Sequence, residues 1–224
     1  MAIMRAPLYL CDLIGREVKG MVFYHRNYVE AGRLSRKVDF LNSKLSAMQD
    51  LSLENSRLTG LVSLKQQLPY KVIAARVIGR DPSNWSSTVI INKGSSSNIK
   101  KGAASLSFLG LVGRVTDVRS NTSTVTLIND PNVSVSARVQ RSRQEGLVSG
   151  SLGGTLTLKL LPKDCDITAG DSVVTSGLTS VYPKGLLIGT VSAIANDFSG
   201  LSMYAILKPA VDLSSLEEVL IVAE

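Results

Sequence analysis

Between residues 34 and 68, apolar side chains recur among polar ones in steps of four and three, which is the spacing of a coiled-coil seam. In such a seam, the side chains of one helix pack into holes between those of a partner helix. The outer positions are charged or polar, so the stripe is narrow and the spacing predicts a helix that pairs with another. The alternative is an amphipathic helix that lies on its own domain. Pairing is favoured because no second long helical pattern follows to receive the stripe.

The predicted seam contains one irregularity and one polar residue. After Met48 the next step is three again, to Leu51, and two short steps in succession form a stammer that locally overwinds a supercoil. Asn55 either fixes the register and the number of helices or lies just off the seam because of the stammer. The predicted oligomerisation seam consists of nine residues: Leu34, Val38, Leu41, Leu45, Met48, Leu51, Asn55, Leu58 and Val62.

After Pro69 the pattern changes from helical to strand-like. Proline cannot donate a helical hydrogen bond, so we expect it to end the helix. From residue 71 onward, short apolar or alternating segments recur between turns rich in Gly, Pro, Asn, Asp and Ser. This pattern is typical of small barrels and sandwiches. The predicted fold class is mainly β, with an N-terminal α-helical coiled coil and two small β-barrel subdomains.

The same patterns divide the chain into four predicted segments. Residues 1–33 are expected to form a membrane-proximal segment whose anchor is missing, and residues 34–70 the coiled-coil helix. The apolar residues of 1–33 fit either a helix in a membrane interface or a continuation of the helical pairing. A polar stretch that ends at Glu145, followed by Gly and Ser, marks the predicted boundary between the barrels. The first barrel is expected at 71–145 and the second at 146–224, with strands free to cross between them.

Charge and composition narrow the classes of function. The 224-residue chain has a formal net charge of +7, yet no run of Lys or Arg exceeds two residues. A nucleic-acid surface usually clusters its basic residues, so no nucleic-acid partner is expected. A mild basic excess fits a chain that lies close to an anionic membrane or polymer. No apolar window of about 18 residues exists to span a bilayer, and the first residues do not form a signal peptide.

The residues that could carry catalysis or bind metal do not form a recognisable site in the sequence. The single histidine, His25, precedes the predicted barrels, so a Ser-His-Asp site in them would lack its base. Cys11 and Cys165 fall in different segments and are expected to be small buried hydrophobes. With no phosphate-binding glycine motif either, we expect no enzyme, no metal and no cofactor. One acidic cluster is expected to satisfy turn backbones rather than to bind Ca²⁺, and its members are Asp164, Asp166 and Asp171.

A series of short motifs runs in order from the predicted coiled coil through the β-rich part of the chain. The series consists of Glu54-Asn55 with Leu58, Ala75–Trp85, Val89–Gly94, Gly110–Val115, Val125–Asp130, Gly146–Gly150, Leu161-Pro162, Gly170-Asp171, Val174–Leu178, Tyr182–Gly185, Gly189–Val191 and Lys208–Ala210. Each motif alone is weak, but together they resemble the MreC family, the rod shape-determining proteins of bacterial cell-wall elongation. Most of the motif residues are Gly, Pro and Asp, which fix turns and so identify a fold.

The resemblance implies a single-pass plasma-membrane protein whose anchor precedes the coiled coil and whose periplasmic body consists of two β-barrels. It implies a non-enzymatic scaffold that dimerises through the coiled coil, binds and activates peptidoglycan synthesis enzymes, and so maintains rod shape. The implied partners are a second copy of the chain, a class B penicillin-binding transpeptidase, the membrane protein MreD and the complex guided by actin-like MreB. The loop at 100–103 departs from the family pattern because it lacks a Gly-Val pair.

Two other classes of function are alternatives. A periplasmic adaptor protein of a transport system also joins a coiled coil to β-barrels, but its helical hairpin is usually flanked by both halves of a β-domain. An unrecognised hydrolase would depend on His25. If a transpeptidase binds the barrels, exposed apolar residues are expected to form the contact. Chosen by residue type alone, with core packing as the favoured interpretation of each, the partner-binding candidates are Phe108, Tyr182, Phe198 and Tyr204.

Overall fold

A computed structural model describes residues 6–81, 87–151, 153–179, 181–196 and 202–223 of the chain. Helix α1 (Ala6–Gln67) extends the predicted helix toward the N-terminus, and its side chains are described from residue 32 to residue 64. The helix ends just before Pro69, as expected, with the backbone N–H of Leu68 donating to the carbonyl of Leu64 at 3.1 Å. The membrane-proximal position of residues 1–33 stays a prediction.

The chain divides into two compact units. The first is Met1–Leu58, which holds α1 up to Leu58. The second is Thr59–Glu224, which holds the last turns of α1 and the β-rich body. In the described residues, the body contains twelve strands: β1 Lys71–Arg80, β2 Thr88–Ile91, β3 Ala104–Ser107, β4 Gly110–Val118, β5 Ser123–Leu127, β6 Ser134–Val139, β7 Glu145–Ser149, β8 Leu156–Pro162, β9 Ser172–Thr175, β10 Leu187–Asn196, β11 Ser202–Pro209 and β12 Glu218–Ala223.

The strands form two closed antiparallel barrels of six strands each. Around the first barrel the order is β1-β12-β3-β4-β5-β2, and around the second it is β10-β11-β8-β7-β6-β9. Closure pairs each strand on both sides, which removes the exposed edges that promote aggregation. The predicted fold class, mainly β with two small barrels behind an N-terminal helix, is confirmed.

The order of the strands corrects the predicted boundary at residue 145. β6 and β7 form a hairpin of the second barrel, in which Arg138 pairs with Glu145. The polar stretch between them is therefore the turn of a hairpin and not a passage between domains. The last strand, β12, returns to the first barrel and pairs with β1 and β3. The first barrel is built from 71–127 together with 218–223, and the second from 134–209.

A buried carboxylate organises the turn where the chain passes from the first barrel to the second. Asp130 is only 1% exposed. Its carboxylate oxygens accept hydrogen bonds from the backbone N–H of Ser87 at 2.9 Å and of Asn132 at 2.8 Å. Because a buried charge must be satisfied by such donors, Asp130 holds the start of β2 against the turn that leads to β6.

Alternation along the strands builds the core of each barrel. In β6, for example, Val135, Ala137 and Val139 are fully buried, while the residues between them face outward. The barrels also approach each other closely. A Cβ placed on Gly110 at the start of β4 would lie 2.2 Å from the carbonyl oxygen of Leu187 at the start of β10. No side chain fits there, so backbone meets backbone at this contact.

Candidate functional site

The predicted seam is exposed along α1 in the single chain. Its eight apolar residues expose between 41% of their surface, at Leu58, and 64%, at Leu51. Asn55 is exposed as well. Exposed apolar side chains in a row mark an interaction surface, because burial against a partner removes them from water. This exposure fits a helix that pairs with another chain.

Among the described side chains of α1, two further large apolar residues are exposed without belonging to the predicted seam. Phe40 is 62% exposed and Leu53 is 63% exposed. The Nζ of Lys44 lies 5.6 Å from the centre of the Phe40 ring, at the distance of a cation–π contact. Leu53 is as exposed as Leu51, but it lies on another side of the helix, two residues or about 200° away.

The last turns of α1 carry two different faces. Leu61 is only 6% exposed and joins the core of the β-body, with Leu64 and Leu68 packed beside it. Leu58 and Val62 remain 41% and 57% exposed. At 100° per residue, the mean direction of these two side chains lies roughly 110° around the helix from the mean direction of Leu61 and Leu64. Packing on the own body, one of the two interpretations of the helix, therefore applies to the face of Leu61, while pairing through the exposed face stays a prediction.

The four partner-binding candidates differ in how the structure places them. Phe108 is 42% exposed at the turn between β3 and β4, next to Leu109 at 48%. Tyr204 is half-buried on β11. Phe198 lies outside the described residues. The places of these residues in the fold do not show whether they bind a partner, so partner binding stays a prediction.

Tyr182 is a core residue, and its choice as an exposed anchor is corrected. It is 4% exposed, and its hydroxyl has no hydrogen-bond partner among the described residues. Burial raises the pKa of the Tyr182 hydroxyl to about 12. The residue lies in the Tyr-Pro-Lys-Gly turn, where residue type alone could not distinguish a buried ring from an exposed one.

Sequence reasoning missed Leu160, the most exposed leucine among the described residues of the body. Leu160 is 73% exposed in β8 and has a φ of 63°, a left-handed conformation that costs an ordinary residue about 1–2 kcal/mol. The pairing of β8 with β11 shifts register here, so Leu160 sits at a bulge. The only sequence signal was the adjacent Leu161, since two consecutive leucines break the alternation of a strand.

The acidic cluster organises a loop of the second barrel around Arg141. The guanidinium donates to Asp171 through Nε at 2.8 Å and through Nη2 at 2.9 Å, and to Asp166 through Nη2 at 2.9 Å. Asp171 is 8% exposed and also accepts a bond from the backbone N–H of Thr168 at 2.9 Å. The hydrogen bonds from Arg141 lower the pKa of Asp171 to about 2. The expectation that this cluster satisfies a turn backbone is confirmed for Asp171, while its partner Arg141 was not foreseen.

The remaining expectations concern metal binding, the two cysteines, His25 and a membrane span. In the part of the chain that the structure describes, no group of three or more His, Cys, Asp or Glu is placed to hold a metal ion. Cys165 is half-buried, and burial raises the pKa of its thiol. The side chains of Cys11 and His25 lie outside the described residues. The described stretch of α1 also contains no window apolar enough to cross a membrane.

Comparison with known families identifies the β-body. A profile described as rod shape-determining protein MreC, barrel core, matches residues 77–223. The chain belongs to the MreC family. The match covers nearly all of both barrels, and it confirms the resemblance that the motif series indicated.

Curated MreC relatives extend the match into the helix. The cell shape-determining protein MreC of Listeria monocytogenes is 35% identical over 214 residues, which cover 93% of this chain and 72% of that protein. The MreC of Bacillus subtilis is 36% identical over 208 residues, covering 87% and 72%. These relatives support a cell shape-determining role for this chain, and the family is one of structural proteins.

Solved MreC structures share the architecture. One MreC structure is 28% identical and superposes with a TM-score of 0.70 over 77% of this chain and 98% of that one. The major periplasmic domain from the cell shape-determining filament MreC is 25% identical, with a TM-score of 0.60 over 68% and 95%. MreC in a complex between Penicillin-Binding Protein (PBP2) and MreC from Helicobacter pylori is 19% identical, with a TM-score of 0.54 over 69% and 100%. The last likeness concerns the fold alone.

Proposed function

We propose that this protein is a non-enzymatic scaffold of the cell-wall elongation machinery, which pairs through the seam of α1 and presents its β-body to peptidoglycan synthesis enzymes. The observation that carries this proposal is the row of exposed apolar side chains along α1, from Leu34 to Val62. Membership in a family of structural shape-determining proteins supports a scaffold role for this chain.

The exposed row is large enough to hold two helices together. Burying a side chain such as Leu completely contributes about 1.5–3 kcal/mol, so a half-exposed one contributes about 1 kcal/mol. Sixteen such side chains in a pair of helices supply on the order of 16 kcal/mol. The loss of free motion on association costs about 4–15 kcal/mol. The balance supports pairing of moderate strength, which the stammer after Met48 would weaken further.

The proposed enzyme partner is a class B penicillin-binding transpeptidase. The MreC of Helicobacter pylori forms a complex with a penicillin-binding protein, and that MreC shares the two-barrel fold with this chain. We further propose that binding activates the transpeptidase. A scaffold that pairs would bring two bound enzymes together, which is how it would help to maintain rod shape.

The proposed location is the outer face of the plasma membrane. A related MreC chain has been solved as its major periplasmic domain. By analogy, we propose that the β-body of this protein lies outside the cytoplasm, that a single-pass anchor precedes the coiled coil, and that residues 1–33 lie next to the membrane. MreD and the complex guided by MreB are then the expected neighbours in the membrane and beneath it.

Two measurements on the full chain test this function. Light scattering over a range of concentrations should give the mass of two chains, with dissociation on dilution. Biolayer interferometry against the detergent-solubilised elongation transpeptidase of the same organism should give saturable binding, and the bound transpeptidase should turn over lipid-linked substrate faster. A single-chain mass at every concentration would contradict pairing. Failure to bind any elongation transpeptidase would contradict the scaffold.

A further inference from the structure

A notch of about 240 Å³ opens in the wall of the first barrel, beside the second. Its walls are mainly small and apolar, with Ala103 and Ala104 on one side and Val222 on another. Val181 and Pro183, from the loop before β10, line the side toward the second barrel. The exposed residues Lys100 and Lys101 stand at its rim.

The notch exists because two strands of the first barrel diverge. β12 pairs with β3 over only two residue pairs, the last of which is Ile221 with Ser105. β12 then continues along β1 as far as Ala223. On the other side, the backbone N–H of Gly102 donates to the carbonyl of Val115 at 2.8 Å, which ties that segment to β4. The main chain therefore borders the notch on two sides, and neither side can close onto the other.

The surroundings of the notch carry positive charge. Of its ten lining residues, two are charged, Lys100 and Lys101, and both are positive, although Glu224 follows the lining residue Ala223 directly in the sequence. Lys184 follows Pro183 directly, and Lys71 is the cross-strand partner of Ala223. Charges of one sign around a concave site attract ligands of the opposite sign.

We propose that this notch binds an extended, acidic segment of a partner protein, which places one apolar side chain of the size of leucine in the cavity. Small-molecule pockets usually measure about 300–1,000 Å³, so this cavity has the size of a side chain rather than of a cofactor. Beyond Ile221, β12 has a register partner in β1 but none in β3, and this short end in an otherwise closed barrel suits an extended peptide that adds to the sheet. Acidic residues beside the anchor would meet Lys100 and Lys101. The site is independent of the α1 seam, so it goes beyond the function proposed above.

The test uses the full chain and a fluorescein-labelled, acetylated heptapeptide of sequence Asp-Glu-Asp-Leu-Asp-Glu-Asp. Fluorescence anisotropy should give saturable binding. Lys101→Glu should weaken binding about two- to fivefold or more, as expected for one exposed charge pair. Ala223→Phe, which fills the notch, should abolish saturable binding. The matched control is Lys163→Glu, an exposed lysine next to β8 that does not line the notch, and it should bind as the wild type does.

A second peptide separates specific binding from general charge attraction. With Gly in place of the central Leu, binding should weaken about tenfold or more, because the apolar side chain that would be buried is lost. Equal binding of both peptides, or equal weakening by Lys101→Glu and Lys163→Glu, would overturn the proposal. It would also be overturned if neither peptide saturates up to about 1 mM. Notch-dependent binding of inorganic polyphosphate or of anionic vesicles, without peptide binding, would instead assign the site to an anionic polymer or lipid. Circular dichroism of each variant verifies the fold.

Discussion

The ring of Phe108, at the turn between β3 and β4, packs directly on the backbone of Gly60 in α1. A Cβ at Gly60 would lie 3.3 Å from Cγ and Cδ2 of that ring, which is tighter than an ordinary van der Waals contact. Glycine inside a helix is less favourable than alanine by about 1 kcal/mol. Glycine at this position therefore makes the helix less stable, but it leaves room for the close contact with the ring. Together with buried Leu61, the contact fastens the last turns of α1 to the first barrel.

Replacing Gly60 by a large residue should therefore loosen this attachment. Gly60→Leu is expected to lower the free energy of unfolding by about 1–3 kcal/mol, because the new side chain overlaps Phe108. In a Phe108→Ala background the loss should be smaller by about 1 kcal/mol, since the two positions are in contact. Urea denaturation at one fixed protein concentration measures both values. The control is Gly32→Leu, because nothing lies within 4 Å of a Cβ at Gly32. Equal tolerance of leucine at both glycines would contradict the contact.

Pairing of α1 can be tested with two leucines that are equally exposed. Leu51 is 64% exposed on the predicted seam, and Leu53 is 63% exposed off it. Leu51→Asp should bury a carboxylate in each helix of a pair, at a cost of roughly 2 kcal/mol per chain. The dissociation constant should then rise on the order of 10³-fold, and Leu53→Asp should change it little. Sedimentation equilibrium measures the constants. If both substitutions act equally, the seam is wrongly assigned.

The backbone contact between the barrels predicts a strong effect of one methyl group. Gly110→Ala would place a Cβ 2.2 Å from the carbonyl oxygen of Leu187, and a backbone atom cannot move aside as a side chain can. We expect a loss of about 1–3 kcal/mol or more, seen as a lower melting temperature. Gly79→Ala is the control, because its Cβ would lie 3.7 Å from a side-chain carbon of Ile90, an ordinary contact. A melting temperature of Gly110→Ala within a degree of the control would refute the close approach.

The Arg141–Asp171 pair predicts how stability depends on pH in acid. The pKa of Asp171 is lowered to about 2 in the folded protein, from an ordinary 3.8, chiefly by hydrogen bonds from Arg141. A lowered folded-state pKa means that the stabilisation is complete above pH 4 and is lost as the pH falls toward 2. Asp171→Asn should be less stable than the wild type at neutral pH and should lose less stability between pH 4 and pH 2.

Thermal unfolding monitored by circular dichroism at each pH gives this comparison. Asp164→Asn is the matched control on the same loop, because Asp164 is not among the partners of Arg141. It should follow the acid profile of the wild type. If the profiles of wild type and Asp171→Asn run parallel from pH 4 to pH 2, the pair does not contribute to the acid profile.

Much of the architecture could be predicted because it depends on local periodicity. The helix stripe from Leu34 and the stop at Pro69 predicted the later part of α1 and where it ends, but not its start at Ala6. Short alternating segments predicted two small barrels, and the ordered Gly, Pro and Asp motifs identified the family. These features follow from the steric properties of single residues and from a period of 3.6 or 2, so they can be read within a few neighbouring positions.

Tertiary structure decided what depends on residues that are distant in sequence. The 140–144 stretch looks the same whether it links two domains or turns a hairpin, and only the pairing of β6 with β7 distinguishes them. Tyr182 looks like a surface anchor until the barrels bury it, and Leu160 looks like core until a bulge turns it outward. The return of β12 to β1 also creates the notch near Ala223. A sequence determines which face of each element is apolar, but which elements meet is settled by long-range pairing and packing that no local window contains.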